Sequence, residues 1–170
     1  MARYIALLRA VNVGGTGKLP MADLKSICLD AGFTGVETYI ASGNVVFESK
    51  GATSKVKAEL EARLLAYAKK PIGVVLRTAA EMAAVLKANP FPKTEPKITY
   101  ANFLDQRPPR DALDHTTGQT DEEMRLGARE IFVHYPSGMG RSKLRIPAAK
   151  TGTARNMNTV AKLAELASKP

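Results

Sequence analysis

Apolar residues fall into short blocks whose spacing alternates between the two-residue period of strands and the three-to-four-residue period of helices. The first block, Tyr4-Ile5-Ala6-Leu7-Leu8-Arg9-Ala10-Val11, is nearly unbroken and runs into a glycine loop, Asn12-Val13-Gly14-Gly15-Thr16-Gly17-Lys18. Such a run predicts a strand covered by helices on at least one face. A helix is expected from Pro20, because Leu24, Ile27, Cys28 and Ala31 share one side and Gly32 stands at its end. Cys28 on that apolar side reads as core packing. Residues 36–40 and 44–48 are β-prone runs around Ala41-Ser42-Gly43, a hairpin signal. Residues 53–70 then carry Val56, Leu60, Leu64 and Tyr67 on one helical face, with Glu59 and Arg63 paired outside. Pro71 stops this helix and residues 72–77 read as a fourth strand.

The order strand-helix-strand-strand-helix-strand is that of the split βαβ, or ferredoxin-like, fold. Its first and third strands are expected side by side and parallel. That places the glycine loop and Ser42-Gly43-Asn44 at opposite ends of a sheet ~17 Å long.

The second half opens on a capping box, Thr78-Ala79-Ala80-Glu81, and a helix with Met82, Val85 and Leu86 on one side. A proline-rich connector spans residues 90–96 and a strand is expected at 98–104. Arg107-Pro108-Pro109 opens a turn towards His115. Residues 124–126 and 130–135 form a second hairpin, and a last helix covers 156–168 with Val160, Leu163 and Ala167 inward. The fold class is therefore α+β in two subdomains: a ferredoxin-like βαββαβ unit over residues 1–77, and a related mixed α/β half over 78–170 that carries a basic C-terminal loop and helix. No self-similarity marks a sequence repeat.

A chain of 170 residues buries roughly 70% of its unfolded surface and needs neither disulfide nor metal for stability. One cysteine excludes an intramolecular disulfide and suits a reducing cytosol. Arg9 interrupts the N-terminal apolar run, so no secretory signal is expected, and no window reaches the ~18 apolar residues of a membrane span. A cytoplasmic protein without membrane contact is expected. The net charge of +9 is what changes the picture, since a basic surface attracts phosphates and nucleic acid, although it also serves plain solubility.

Residues 131–164 contain no Asp or Glu and six cations, Arg141, Lys143, Arg145, Lys150, Arg155 and Lys162. Thr151-Gly152-Thr153-Ala154-Arg155-Asn156 leads into the last helix, where hydroxyls, N–H groups and a guanidinium suit a phosphate or carboxylate. Candidate ligand-binding residues are Arg141, Lys143, Lys150, Thr153, Arg155, Asn156 and Asn158, with Lys18 and Arg9 beside the glycine loop. The competing reading is an exposed basic loop and an ordinary helix cap by Asn156. Gly17-Lys18 does not complete a nucleotide-binding P-loop, because Asn12 and Leu19 stand where the pattern needs Gly and Ser or Thr. Backbone N–H groups of that loop could still hold an anion, or the glycines could serve a demanding connection alone. His115 and His134 have no patterned partners, no metal spacing or catalytic constellation is present, and no cofactor is implied. Tyr4 and Phe47 are too few for base stacking on the first sheet, so nucleic-acid contact would run through phosphates.

Leu7-Leu8-Arg9-Ala10-Val11-Asn12-Val13-Gly14-Gly15, then Thr38 through Phe47, then Gly140-Arg141-Ser142-Lys143-Leu144, and Arg155 through Leu163, together resemble the bacterial domain-of-unknown-function family 1697. The resemblance implies two ferredoxin-like subdomains and carries no reaction, cofactor or catalytic residue. Met157 departs from the family's usual tryptophan, and residues 145–150, with Pro147, are shorter than its helix at that place. Three functional expectations result. The first is a module that binds a phosphate-bearing ligand or nucleic-acid backbone through the basic C-terminal loop. The second is an enzyme acting on a small anionic or phosphorylated metabolite in the cleft between subdomains. The third is an interaction protein without chemistry.

Overall fold

The computed structural model describes residues 1–12 and 18–169. The chain is mixed α+β. Strand β1 (Ala2–Leu8) is followed by helix α1 (Met21–Asp30), the hairpin β2 (Thr34–Tyr39) and β3 (Asn44–Ser49), helix α2 (Thr53–Ala68) and β4 (Val74–Thr78). Helix α3 (Ala79–Lys87), β5 (Thr99–Phe103), β6 (Glu123–Leu126), β7 (Glu130–His134), β8 (Thr153–Asn156) and α4 (Met157–Ser168) complete it. Two four-stranded antiparallel sheets result, ordered β2-β3-β1-β4 and β6-β7-β5-β8. Compact units comprise Met1–Met82 with Leu163–Pro170, and Ala83–Lys162.

In the first unit, Tyr4, Ala6 and Leu8 of β1 share a sheet face with Phe47 and Val45 of β3 and Leu76 and Val74 of β4. Leu24 and Cys28 of α1 and Val56, Leu60 and Leu64 of α2 pack with that face, and the whole cluster is buried. Phe33 stacks on Phe47 with ring centroids 4.3 Å apart. The opposite face (Ile5, Leu7, Val46, Val75) is buried too, which accounts for the unbroken apolar run from Tyr4 to Leu8 in the first strand, where alternation would otherwise be expected. Burial pushes the Cys28 thiol up to about 12, so it stays neutral and inert. Tyr67 does not continue the buried stripe of α2. It is exposed at the helix end and donates its hydroxyl to Asp23 Oδ2 at 2.6 Å.

In the second unit, Met124, Ile131 and Val133 line one sheet face with Leu104, and half-buried Leu113, Leu144 and Ile146 pack on them. Short 3-10 turns, Ala112–His115, Met139–Arg141 and Pro147–Ala149, stand in its connections. A four-residue strand, β8, occupies residues expected to be loop. Its sequence Thr-Ala-Arg-Asn carries no apolar alternation; pairing with β5 makes it a strand.

Candidate functional site

The end of β1 is where the first unit departs most from expectation. β1 and β3 are antiparallel, with Leu7 opposite Asn44, because β3 lies between β1 and β2 and returns from the hairpin. The close of β1 and the start of β3 therefore lie at the same end of the sheet, and the parallel pairing expected above is corrected. The Leu8 N–H donates to Gly43 O at 2.9 Å, and the Arg9 N–H donates to Gly73 O at 2.9 Å. Three loops thus meet here. Gly43 has φ +91°, and a Cβ on it would sit 2.6 Å from Val11 Cγ2, so chain approach as well as backbone conformation demands glycine.

Asn12 fastens this end. Its amide donates to Leu19 O and to Ala41 O, each at 2.8 Å, while its Oδ1 accepts the Leu19 N–H at 2.7 Å. The anion-binding reading of the glycine loop falls on residues 13–17, which lie outside the described residues. Asn12, however, joins both flanks of that segment to the β2–β3 turn. Among the described residues, the four non-glycine positions with left-handed backbone are Ala10, Asn12, Ile40 and Lys69, and all four stand at this end. Asn tolerates such a φ, but a β-branched Ile40 is a true outlier. Strain of this kind costs ~1–3 kcal/mol per residue and gathers at ligand clamps and switch regions.

Between the end of β1, the start of α1 and the segment linking α2 to β4 lies a cavity of about 450 Å³. Arg9, Lys18 and Lys70 bring three cations to it, and Leu19, Tyr67 and Ile72 supply apolar surface. No carboxylate lines it among the described residues. Arg9 is half-buried with its aliphatic stem against Gly73, while Lys18 and Lys70 are exposed. This volume falls within the range of small-molecule sites.

The second unit distributes its predicted residues differently. Residues 141–146 alternate, with Arg141, Lys143 and Arg145 exposed and Ser142, Leu144 and Ile146 half-buried. The segment is bonded to residue 117: Thr117 and Arg145 exchange N–H···O bonds of 3.0 and 2.9 Å. Ser142 donates its hydroxyl to Glu122, and this bond with those from Thr120 holds the Glu122 carboxyl down to about 2. Lys150 is exposed, beyond the Pro147–Ala149 turn.

Arg155 and Asn156 do not converge. Successive strand residues face opposite ways: Arg155 pairs with Ala101, Asn156 with Tyr100. Arg155 is buried and donates to Thr153 Oγ1 at 2.6 Å and Ala154 O at 2.9 Å, and burial lowers its guanidinium to about 10. It remains charged at neutral pH. Asn156 Oδ1 accepts the Thr159 N–H at 2.9 Å and so caps α4, whose first turn exposes Asn158. His134 Nδ1 lies 3.1 Å from Thr99 Oγ1, and His115 pairs with Asp111 at 3.2 Å on the surface. Among the described residues no cluster of His, Cys, Asp or Glu could hold a metal, and no helix is long and apolar enough to cross a membrane.

The family model described as "Protein of unknown function (DUF1697)" matches residues 1–132. The chain belongs to this family. Its fold is similar to that of a solved structure, described as that of the conserved bacterial protein SP0830 from Streptococcus pneumoniae. The TM-score is 0.82 at 26% identity, over 99% of each chain. No curated protein matches the chain.

The DUF1697 match contains Arg9, Lys18, Tyr67 and Lys70, whereas residues 141–158 lie beyond it. Lys70 and Tyr67 were missing from the sequence-based set. The signal for Lys70 was present in the element order, since an antiparallel fourth strand must begin beside the end of the first. Tyr67 gave none, because its spacing matches the buried stripe of α2.

Proposed function

We propose that this protein binds a small phosphate-bearing anion in the cavity at the end of β1. The observation that carries the reading is the meeting of Arg9, Lys18 and Lys70 at one concavity that, among the described residues, no carboxylate lines. Guanidinium and ammonium donors are the usual recognition groups for phosphate oxygens, and the left-handed positions around them mark an end of the sheet held in an over-determined conformation. An enzyme acting on a small phosphorylated metabolite would use the same binding groups.

Pyrophosphate titrated into the protein while melting is followed tests this reading. Saturable stabilisation is expected, and Lys18→Glu with Lys70→Glu should abolish it without lowering the ligand-free melting temperature by more than a few degrees. Equal stabilisation of the reversed variant would reject the site.

A second reading is contact with a nucleic-acid backbone through the C-terminal basic segment. It is supported by the outward alternation of Arg141, Lys143 and Arg145, which spaces cations along one edge of an extended chain. Binding of this kind weakens steeply with salt, and each lost phosphate contact reduces the slope by about 1. A salt slope unchanged in the triple alanine variant rejects it.

A further inference from the structure

The cavity at the end of β1 has more room, and more apolar wall, than a bare inorganic ion would use. A water-sized guest occupies ~30 Å³, whereas this space measures about 450 Å³ and has Leu19, Ile72 and Tyr67 in its wall. Its chemistry is divided. Arg9, Lys18 and Lys70 supply positive charge, while Leu19, Ile72 and Tyr67 supply a surface without hydrogen-bonding side chains other than the tyrosine hydroxyl. That hydroxyl is already committed to Asp23 at 2.6 Å. The ring is thereby anchored by its far atom although the residue is 42% exposed. An exposed ring in the same wall as three cations is a surface on which a base can stack.

We infer that the ligand of this cavity is a nucleoside phosphate, its base against Tyr67 and its phosphates among Arg9, Lys18 and Lys70. The inference rests on the anion-binding reading above and goes beyond it by naming the ligand class. A sugar phosphate fits less well, since it brings no flat apolar ring to the surface of Tyr67, Leu19 and Ile72, whereas a base does. Three cations suit the two to four negative charges of a diphosphate or triphosphate.

Isothermal titration of ADP, pyrophosphate and ribose 5-phosphate separates the possibilities. ADP is expected to bind about tenfold more tightly than pyrophosphate, the contribution of one stacked base. Tyr67→Ala should erase that advantage and leave pyrophosphate affinity unchanged. Tyr67→Phe, which keeps the ring and loses the bond to Asp23, should retain most of it. Circular dichroism confirms folding of each variant. If pyrophosphate binds as tightly as ADP, or if Tyr67→Ala keeps the preference for ADP, the nucleoside assignment is overturned while the anion site stands. If ribose 5-phosphate matches ADP, the base contributes nothing and the assignment is likewise overturned. If none of the three compounds binds, both readings are overturned together.

Discussion

The two sheets of this protein share one strand order and differ in what covers them. In β2-β3-β1-β4 the crossovers are helices, α1 of 10 residues and α2 of 16, whose apolar stripes seal one face. In β6-β7-β5-β8 the same two places in the chain order hold only 3-10 turns and extended segments. Their cover lays half-buried Leu113, Leu144 and Ile146 on the sheet and adds bonding between the connections: the Thr117–Arg145 bridge joins one to the other, and Ser142 is bonded to Glu122. One topology is therefore maintained in two ways, by the periodic apolar stripes of helices in the first unit and by irregular segments in the second, whose scattered apolar contacts are fixed by a few specific polar ones. This also explains why no repeat is visible in the sequence, since packing selects residue patterns whereas backbone bridges select almost none.

Core truncation gives the largest expected contrast. Leu60 of α2 is fully buried, and Leu60→Ala should cost ~3–4 kcal/mol through lost transfer energy and the cavity left behind. Ile146 covers the second sheet from a half-buried position, so Ile146→Ala should cost only about 1 kcal/mol. Urea unfolding of both variants checks this, and equal losses would mean that the second cover is packed as firmly as the first.

The second unit should instead be sensitive where its backbone segments touch. Gly118 has φ +72°, and a Cβ there would lie 2.0 Å from Lys143 O. Gly118→Ala should cost ~3 kcal/mol, from left-handed strain and from pushing two segments apart. At Gly43 the obstructing atoms are Val11 Cγ2 and Leu8 Cβ, 2.6 and 3.0 Å away, and not a carbonyl at 2.0 Å, so Gly43→Ala should cost somewhat less, ~2 kcal/mol. The reverse ranking in the same unfolding measurement would refute the view that backbone contact organises the second cover.

This difference in construction also sets what could be read from the chain. The helices of the first unit were legible because Leu24, Cys28, Val56, Leu60 and Leu64 repeat with helical period. The capping box was legible because its four residues are local. Strand direction was not local: only the antiparallel pairing of β1 with β3 brings Asn12 to Ala41 and places the glycine-loop flanks beside the hairpin turn. Arg9 and Lys18 were recognisable as candidates, but Lys70 joins them through topology. Arg155 read as a ligand-binding cation of a loop because nothing in Thr-Ala-Arg-Asn announces a strand, and its burial follows from the pairing of β8 with β5, a tertiary effect.

Stability against pH should separate the units by sign. In the fold the Glu122 carboxyl is held down to about 2 by Ser142 and Thr120, so the folded state resists its protonation. Its contribution is complete above the ordinary carboxyl value of ~4.3 and is lost as pH falls from there through about 2. Cys28 in the first unit works at the other limb. Its thiol is raised to about 12 by burial, so its contribution is complete below the ordinary value of ~8.5 and declines as pH rises above it. Melting temperatures from pH 2 to 10 should therefore show an acid limb flattened by Glu122→Gln and an alkaline limb flattened by Cys28→Ala. An acid limb unchanged in Glu122→Gln would remove the Ser142 contact from the account.

The smallest expected effect is the one place where both units use the same device. The last residue of each fourth strand also caps the helix that follows. Thr78 pairs with Tyr4 across the sheet while its Oγ1 accepts the Glu81 N–H at 3.2 Å and its own N–H donates to Glu81 Oε1 at 2.8 Å. Asn156 pairs with Tyr100 while its Oδ1 accepts the Thr159 N–H. The box at Thr78 is reciprocal and the cap at Asn156 is single, so Thr78→Ala should cost ~1 kcal/mol and Asn156→Ala slightly less. Asn156→Asp keeps an oxygen at the cap and should restore stability. Because that substitution also places a negative charge beside the basic segment, it would weaken any anion bound there while leaving the cap intact. Stability recovered together with unchanged polyanion affinity would assign Asn156 wholly to the helix, as Thr78 is assigned to its own.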